Sequence, residues 1–221
     1  MDSEIFVKQL VVGPLAVCCY LVGYSETKEI AIIDPGGDED LIINTIKKMS
    51  LKPVIIINTH AHPDHTAGNQ TLKQVFNIPI AMHESDAGSF LNQANLFLGS
   101  MVGGVAYPSN LIYCLRMETM WFLGPISLKV IHTPGHTPGS ICLYYPGHVF
   151  TGDTLFVKAV GRTDLPGGSW ETLIKSIKTR LFTSSRRKLL YGQVMIMEKS
   201  QIQPSEKKKD LIPLSNREYQ W

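Results

Sequence analysis

Four consecutive branched residues, Val54-Ile55-Ile56-Ile57, run almost directly into Thr59-His60-Ala61-His62-Pro63-Asp64-His65. An apolar run bounded by Pro53 and a polar turn reads as a buried strand. The histidines therefore stand where a strand ends and a loop begins, the place where α/β proteins build their sites. Imidazole nitrogens and carboxylate oxygens together suit Zn²⁺, Mn²⁺ or Fe²⁺. A lone buried histidine is more often structural. Three of them plus an aspartate within residues 60–65 point to a metal site.

A chain of 221 residues, 44% hydrophobic and 18% charged, fits an ordinary globular protein of one large or two small domains. A net charge of +2 predicts neither nucleic-acid nor membrane attraction. No apolar stretch approaches the roughly 20 residues that span a bilayer. The start, Met1-Asp2-Ser3-Glu4, lacks the features of a signal peptide. The expectation is a cytoplasmic protein whose partner is a small-molecule substrate; the sequence does not fix its oligomeric state. Cys18, Cys19, Cys114 and Cys142 lie in apolar surroundings and form no CxxC pair, so buried free thiols are expected.

Strands are predicted over 5–12, 16–22 and 29–34, separated by Gly13-Pro14 and by the polar segment 24–28. Asp38 is expected to cap a helix over 39–50 with Leu41, Ile42, Ile46 and Met49 on one face. Strand 54–58, a helix over 66–76 and a strand over 79–82 follow. Residues 84–110 are ambiguous. Further strands are predicted at 111–115, 126–131, 140–145 and 148–151. Ser169 is expected to cap a helix over 170–182. Runs of strands with helices between some of them fit an α/β (α+β) arrangement of sheets covered by helices, not a purely doubly wound sheet.

Two further strand ends carry ligand types. Residues 132–139 read His-Thr-Pro-Gly-His-Thr-Pro-Gly, a tight turn displaying His136. Residues 150–156 place Asp153 after Gly152 at the end of another strand. Alone, an aspartate in such a turn is an ordinary turn former. Together with His60–His65, these segments and Gly161-Arg162-Thr163-Asp164 resemble the metallo-β-lactamase superfamily, most of all its glyoxalase II-like (hydroxyacylglutathione hydrolase-like) branch. The resemblance covers roughly residues 5–182. It implies an αββα sandwich with two metals at one edge. His60, His62 and His136 would hold the first metal, Asp64 and His65 the second, and Asp153 would bridge them. Asp34 would support the loop from behind, and His132 is a candidate for a similar role. Zn²⁺ is the expected metal, with Fe²⁺ or Mn²⁺ as alternatives.

The implied activity is metal-dependent hydrolysis of a small thioester by a metal-bound hydroxide, with Asp64, His65 and Asp153 at the reacting centre. A thiolate leaves readily and needs little acid assistance. Two rivals stand beside it: an iron-dependent persulfide dioxygenase-like oxidoreductase, and an impaired chain that binds one metal. Arg162 matches a basic residue that in glyoxalase II binds the glutathione portion, and it is expected to meet a substrate carboxylate. The aromatic residue expected two positions later is Asp164. The chain also leaves no room for the helical C-terminal domain that closes over glutathione. Both departures argue against glutathione specificity.

The resemblance also calls for a Pro-Gly-His turn near the C-terminus. The last histidine is His148, and residues 190–195 read Leu-Tyr-Gly-Gln-Val-Met. Shifted by one base, codons for this stretch permit a Pro-Gly-His turn, and Met195-Ile196 and Met197-Glu198 force Asp and Gly. A stop becomes possible across Ser215–Asn216. This suggests a frame slip between about Phe182 and Leu189. On that reading residues 1–189 form the metallo-β-lactamase-like domain and 190–221 a poorly ordered tail. One metal is then expected to bind tightly, the other weakly, and activity to be reduced.

Overall fold

The computed structural model describes residues 5–88, 113–157 and 159–182, together with the backbone of 195–196. Strands β1 (Ile5–Val12), β2 (Val17–Tyr24) and β3 (Glu29–Ile33) form an antiparallel meander. Helix α1 (Glu39–Lys48) crosses to β4 (Lys52–Ile57), which lies parallel to β3. The short α2 (Pro63–Thr66) and α3 (Asn69–Phe76) lead to β5 (Ile80–His83), again parallel. Helix α4 (Glu84–Ala87) follows, and β6 (Tyr113–Leu115) completes a six-stranded sheet ordered β1-β2-β3-β4-β5-β6.

The second sheet holds β7 (Met120–Leu123), β8 (Ile126–His132), β9 (Ile141–Tyr145) and β10 (His148–Phe150), all antiparallel neighbours. The two-residue β11 (Met195–Ile196) pairs parallel with β10. Helix α5 (Trp170–Ser176) runs into a π-helical segment, Ile177–Leu181, and covers this sheet's outer face.

Alternation along the strands builds the layers. Ala31, Ile33, Ile55 and Ile57 point between the sheets, where they meet Leu128, Val130, Ile141 and Leu143. Ile30, Ile32 and Ile56 point the other way, against Ile42, Ile46 and Leu72 of the helices. Val54 is an unpaired extra residue, because the β3–β4 register jumps from Ile30↔Pro53 to Ala31↔Ile55. Pro53 has no N–H to give the ladder, so the irregularity falls beside it. The result is the expected αββα sandwich.

Several local expectations change. Asp38 adopts φ 49° and its side chain makes no cap bond; Asp38 Oδ2 instead accepts from Gly13 N–H at 2.8 Å, tying α1 to the first hairpin. The buried face of α1 is Ile42, Ile43 and Ile46, while Leu41 is 46% exposed. The helix expected over 66–76 is broken at Gly68, whose N–H donates to Pro35 O at 2.8 Å. Ser169 does cap α5, accepting from Thr172 N–H at 3.3 Å. Strand β7 was not foreseen. Most of 84–110 and the tail beyond 182, apart from the 195–196 backbone, lie outside the described residues, as does the expected frame-slipped segment.

Candidate metal centre

The parallel strands place the first ligand segment. At the end of β4, Asn58 N–H donates to Ala81 O at 2.9 Å, and Asn58 Nδ2–H donates to His65 O at 3.1 Å. Asn69 Nδ2–H returns a bond to Asn58 Oδ1 at 2.8 Å. These buried amides close residues 59–65 into a compact loop over the sheet edge. Asp34 lies beneath it, held at φ 49°. Its Oδ1 accepts from Thr59 N–H at 2.7 Å, its Oδ2 from Thr59 Oγ1–H at 2.6 Å, and His65 Nδ1 is 3.0 Å away.

The second sheet brings the rest. His136 stands in the turn after β8, and Asp153 follows β10. Gly152 takes φ 48°, and a Cβ there would come within 2.2 Å of Thr59 Oγ1. Only glycine lets this turn sit against the first ligand loop.

The structure brings the histidines and Asp153 together. Ligand atoms of His60, His62 and His136 lie within 4.8 Å of one another, as do those of His60, His65 and Asp153. His136 Nε2 is 2.9 Å from His62 Nδ1. Asp153 reaches both groups: Oδ1 is 3.2 Å from His65 Nε2 and Oδ2 is 3.7 Å from His136 Nε2. Asp64 Oδ2 lies 3.7 Å from His65 Nε2, so it stands at the rim of the second group.

The proton positions follow from the partners. His136 Nδ1–H donates to Arg162 O at 2.6 Å, which leaves Nε2 as a lone pair. Thr59 has given its only hydroxyl proton to Asp34, so at 3.1 Å it accepts from His60 Nδ1–H. His65 Nδ1–H faces Asp34. The Nε2 atoms of His60, His65 and His136 are thus turned inward, His136 Nε2 onto His62 Nδ1 and His65 Nε2 onto the Asp153 carboxylate. His60 Nε2 is buried and lacks a hydrogen-bond partner.

Burial, followed by the neighbouring imidazoles, pulls His60 well below its ordinary pKa; burial and then His136 pull His62 down to about 3. Both are neutral and available as ligands. At His65 burial pulls the same way, yet Asp34, Asp153 and Asp64 hold its pKa well above the usual value. Four clustered imidazoles, one with an unpartnered buried nitrogen, beside three carboxylates make a site built for positive charge. The donor set fits a divalent cation of the zinc, iron or manganese type.

The remaining candidates fall outside this cluster. The His132 ring stacks on His83 at 3.9 Å, and its Nε2 is 2.9 Å from Pro138 O; it supports the turn that carries His136 and touches no ligand. His83 Nδ1 accepts from Ser85 N–H at 3.2 Å. His148 opens β10 after the Pro146-Gly147 turn, as expected of a hairpin. The Arg162 guanidinium is held by Asp164, with Nε at 2.7 Å and Nη2 at 2.6 Å from the two carboxylate oxygens. Arg162 meets the site through its backbone carbonyl, at His136 Nδ1. Sequence reasoning missed Asp86 and the Asn58–Asn69 pair. Neither belongs to a metal-ligand spacing, and only the folded chain brings them to the loops.

Comparisons with known proteins identify the family. Residues 12–192 match the metallo-beta-lactamase superfamily. The chain is 34% identical over 181 residues to the probable metallo-hydrolase YqgX of Bacillus subtilis, covering 80% of this chain and 83% of that one. It is 34% identical over 174 residues to the hydroxyacylglutathione hydrolase GloC of Haemophilus influenzae, covering 74% and 78%. Among solved structures, the BLEG-1 B3 metallo-beta-lactamase superposes with a TM-score of 0.71 at 33% identity, over 79% of this chain and 84% of that one. TTHA1623, in a di-iron-bound form, gives 0.69 at 33% identity over 78% and 84%. These relatives carry different activities on one architecture, so they do not select a branch. From fold, site and sequence together, the chain belongs to the metallo-β-lactamase superfamily.

Proposed function

We propose that the chain is a metal-dependent hydrolase of small thioesters, glyoxalase II-like in its chemistry. The observation that carries this is the convergence of the His60, His62, His65 and His136 ring nitrogens beside Asp153, with His60 Nε2 buried and without a hydrogen-bond partner. His60, His62 and His136 would hold one cation; His65 and Asp64 would hold a second, with Asp153 between the two. A cation bound there supplies Lewis acidity and brings the pKa of water from 15.7 down to about 7. Asp64 has the exposure to orient the attacking water and accept its proton. Asp34 keeps the His65 ring turned inward through Nδ1, and Arg162 O does the same for His136. No general acid is required for a thiolate leaving group. The resemblance to GloC of Haemophilus influenzae supports the thioester class.

A second reading has its own support. His60, His65 and Asp153 make a two-histidine, one-carboxylate group, the donor set of non-haem Fe(II) oxygenases. The two readings separate in one experiment. The chain is loaded with Zn²⁺, Mn²⁺ or Fe²⁺ and assayed for S-D-lactoylglutathione hydrolysis and for oxygen uptake on glutathione persulfide. Thioester hydrolysis that disappears with chelator, and that falls at least ~100-fold in His62→Ala, is the expected result; the loss of several kcal/mol of charge stabilisation corresponds to that factor. Oxygen uptake with iron and no hydrolysis with any metal would establish the oxygenase instead. A chain that binds one equivalent and turns over neither substrate would be the impaired form that the missing Pro-Gly-His turn suggests.

A further inference from the structure

Asp86 sits in α4, outside every metal-ligand spacing in the sequence, and its side chain is buried at 1% exposure. Three donors converge on its carboxylate. Ala61 N–H, between His60 and His62, donates to Oδ2 at 2.9 Å. Thr137 Oγ1–H, adjacent to His136, donates to the same oxygen at 2.7 Å. Gly139 N–H donates to Oδ1 at 2.6 Å. The first donor belongs to the loop after β4 and the other two to the turn after β8, so a single side chain ties the two histidine segments of the sandwich together. An ionised carboxylate, acceptor-only, matches three incoming protons. The close approach is reserved as well: a Cβ on Gly139 would lie 2.5 Å from the Asp86 carboxyl carbon.

We infer that Asp86 is a positioning residue for the metal centre, a clamp that fixes the separation of the His60–His62 and His136 loops. Nothing else among the described side chains bonds to both loops through three donors. Without it, two buried backbone N–H groups lose their acceptor and the loops keep the Ile141 N–H to Thr59 O bond at 2.8 Å but lose the ties beside the rings. The rings of His62 and His136 then leave the separation that lets both grip one ion. Asp86 touches no ligand ring, so its effect passes through the backbone.

The inference rests on the proposed metal site, and the test separates the two. Zn²⁺ affinity is measured by chelator competition for the full-length wild type, Asp86→Asn and Thr137→Val, together with the absorption spectrum of each Co²⁺-loaded form. Circular dichroism of the metal-free proteins reports the fold. Outer partners of metal ligands typically contribute 10–100-fold in affinity. Asp86→Asn is expected to weaken the tightest equivalent by about that factor and to alter the Co²⁺ spectrum, with the fold retained. Thr137→Val, which removes one of the three bonds, is expected to weaken it about threefold, and it decides the matter if Asp86→Asn does not fold. A folded Asp86→Asn with unchanged affinity and spectrum overturns the inference; so does an unfolded one beside an unaffected Thr137→Val. A wild type that takes up no ion sinks the metal-site proposal itself.

Discussion

At the scale of single residues, the environment of a charge decides its use. Arg162 and Asp164 are both well exposed, at 60% and 68% of their side chains, yet they form a two-pronged pair. Hydrogen bonding from Arg162 draws the Asp164 pKa down to about 2, so the pair is intact across the neutral range. A guanidinium so engaged is a poor partner for a substrate carboxylate. Asp164→Asn is expected to free it and to lower KM for an anionic thioester about fivefold, with little change for an uncharged one; exposed pairs are worth roughly 0.2–1 kcal/mol, which sets that size. Steady-state kinetics on a matched pair of thioesters checks it, and equal shifts for both substrates would refute it. The clustered histidines and Asp153 were legible in the sequence because they stood at strand ends in close spacing. Asp86 was not, because its role depends on donors 25 and 53 residues away. The engagement of Arg162 was equally hidden: a sequence shows that two charges are near, not whether they pair.

Elements show a similar division. Strands such as β3 and β4 were legible because continuous branched runs have one buried solution. Strand β7 was not, because Met120-Trp121-Phe122-Leu123 does not alternate, even though Phe122 is 68% exposed and Leu123 buried. The break between α2 and α3 also escaped, since it answers to a bond with Pro35 far back in the chain. The junction of β5 with α4 makes a prediction of its own. Burial, and then the stacked His132, lower the His83 pKa to about 4. The unfolded chain, titrating near 6.5, therefore takes up the proton first. Stability is present above about pH 6.5 and is lost as pH falls towards 4. A protonated Nδ1 also cannot accept from Ser85 N–H. Urea unfolding of metal-free wild type and His83→Gln between pH 7 and 4.5 should show the smaller loss in the variant. Parallel curves would mean that folding does not lower the His83 pKa.

For the whole molecule, the sandwich was readable from layered apolar patterns, whereas the pairing of Met195-Ile196 with β10 was not, because two apolar residues carry no register. The proposed ligands stand at strand ends in both sheets: His60, His62 and His65 follow β4, His136 follows β8 and Asp153 follows β10. A cation held by them as proposed would favour the folded form, and at a thousand times its Kd it would add up to about 4 kcal/mol to stability. Zn²⁺ titration followed by thermal unfolding should raise the midpoint with concentration, and a midpoint indifferent to zinc or to chelator would contradict this.

Timing follows from the same split origin. Neither leaf alone presents a complete grip, so the ion can be captured only after both have docked, late on the route to the native state. Zinc should therefore slow the escape from the folded basin while leaving the speed of its formation almost untouched.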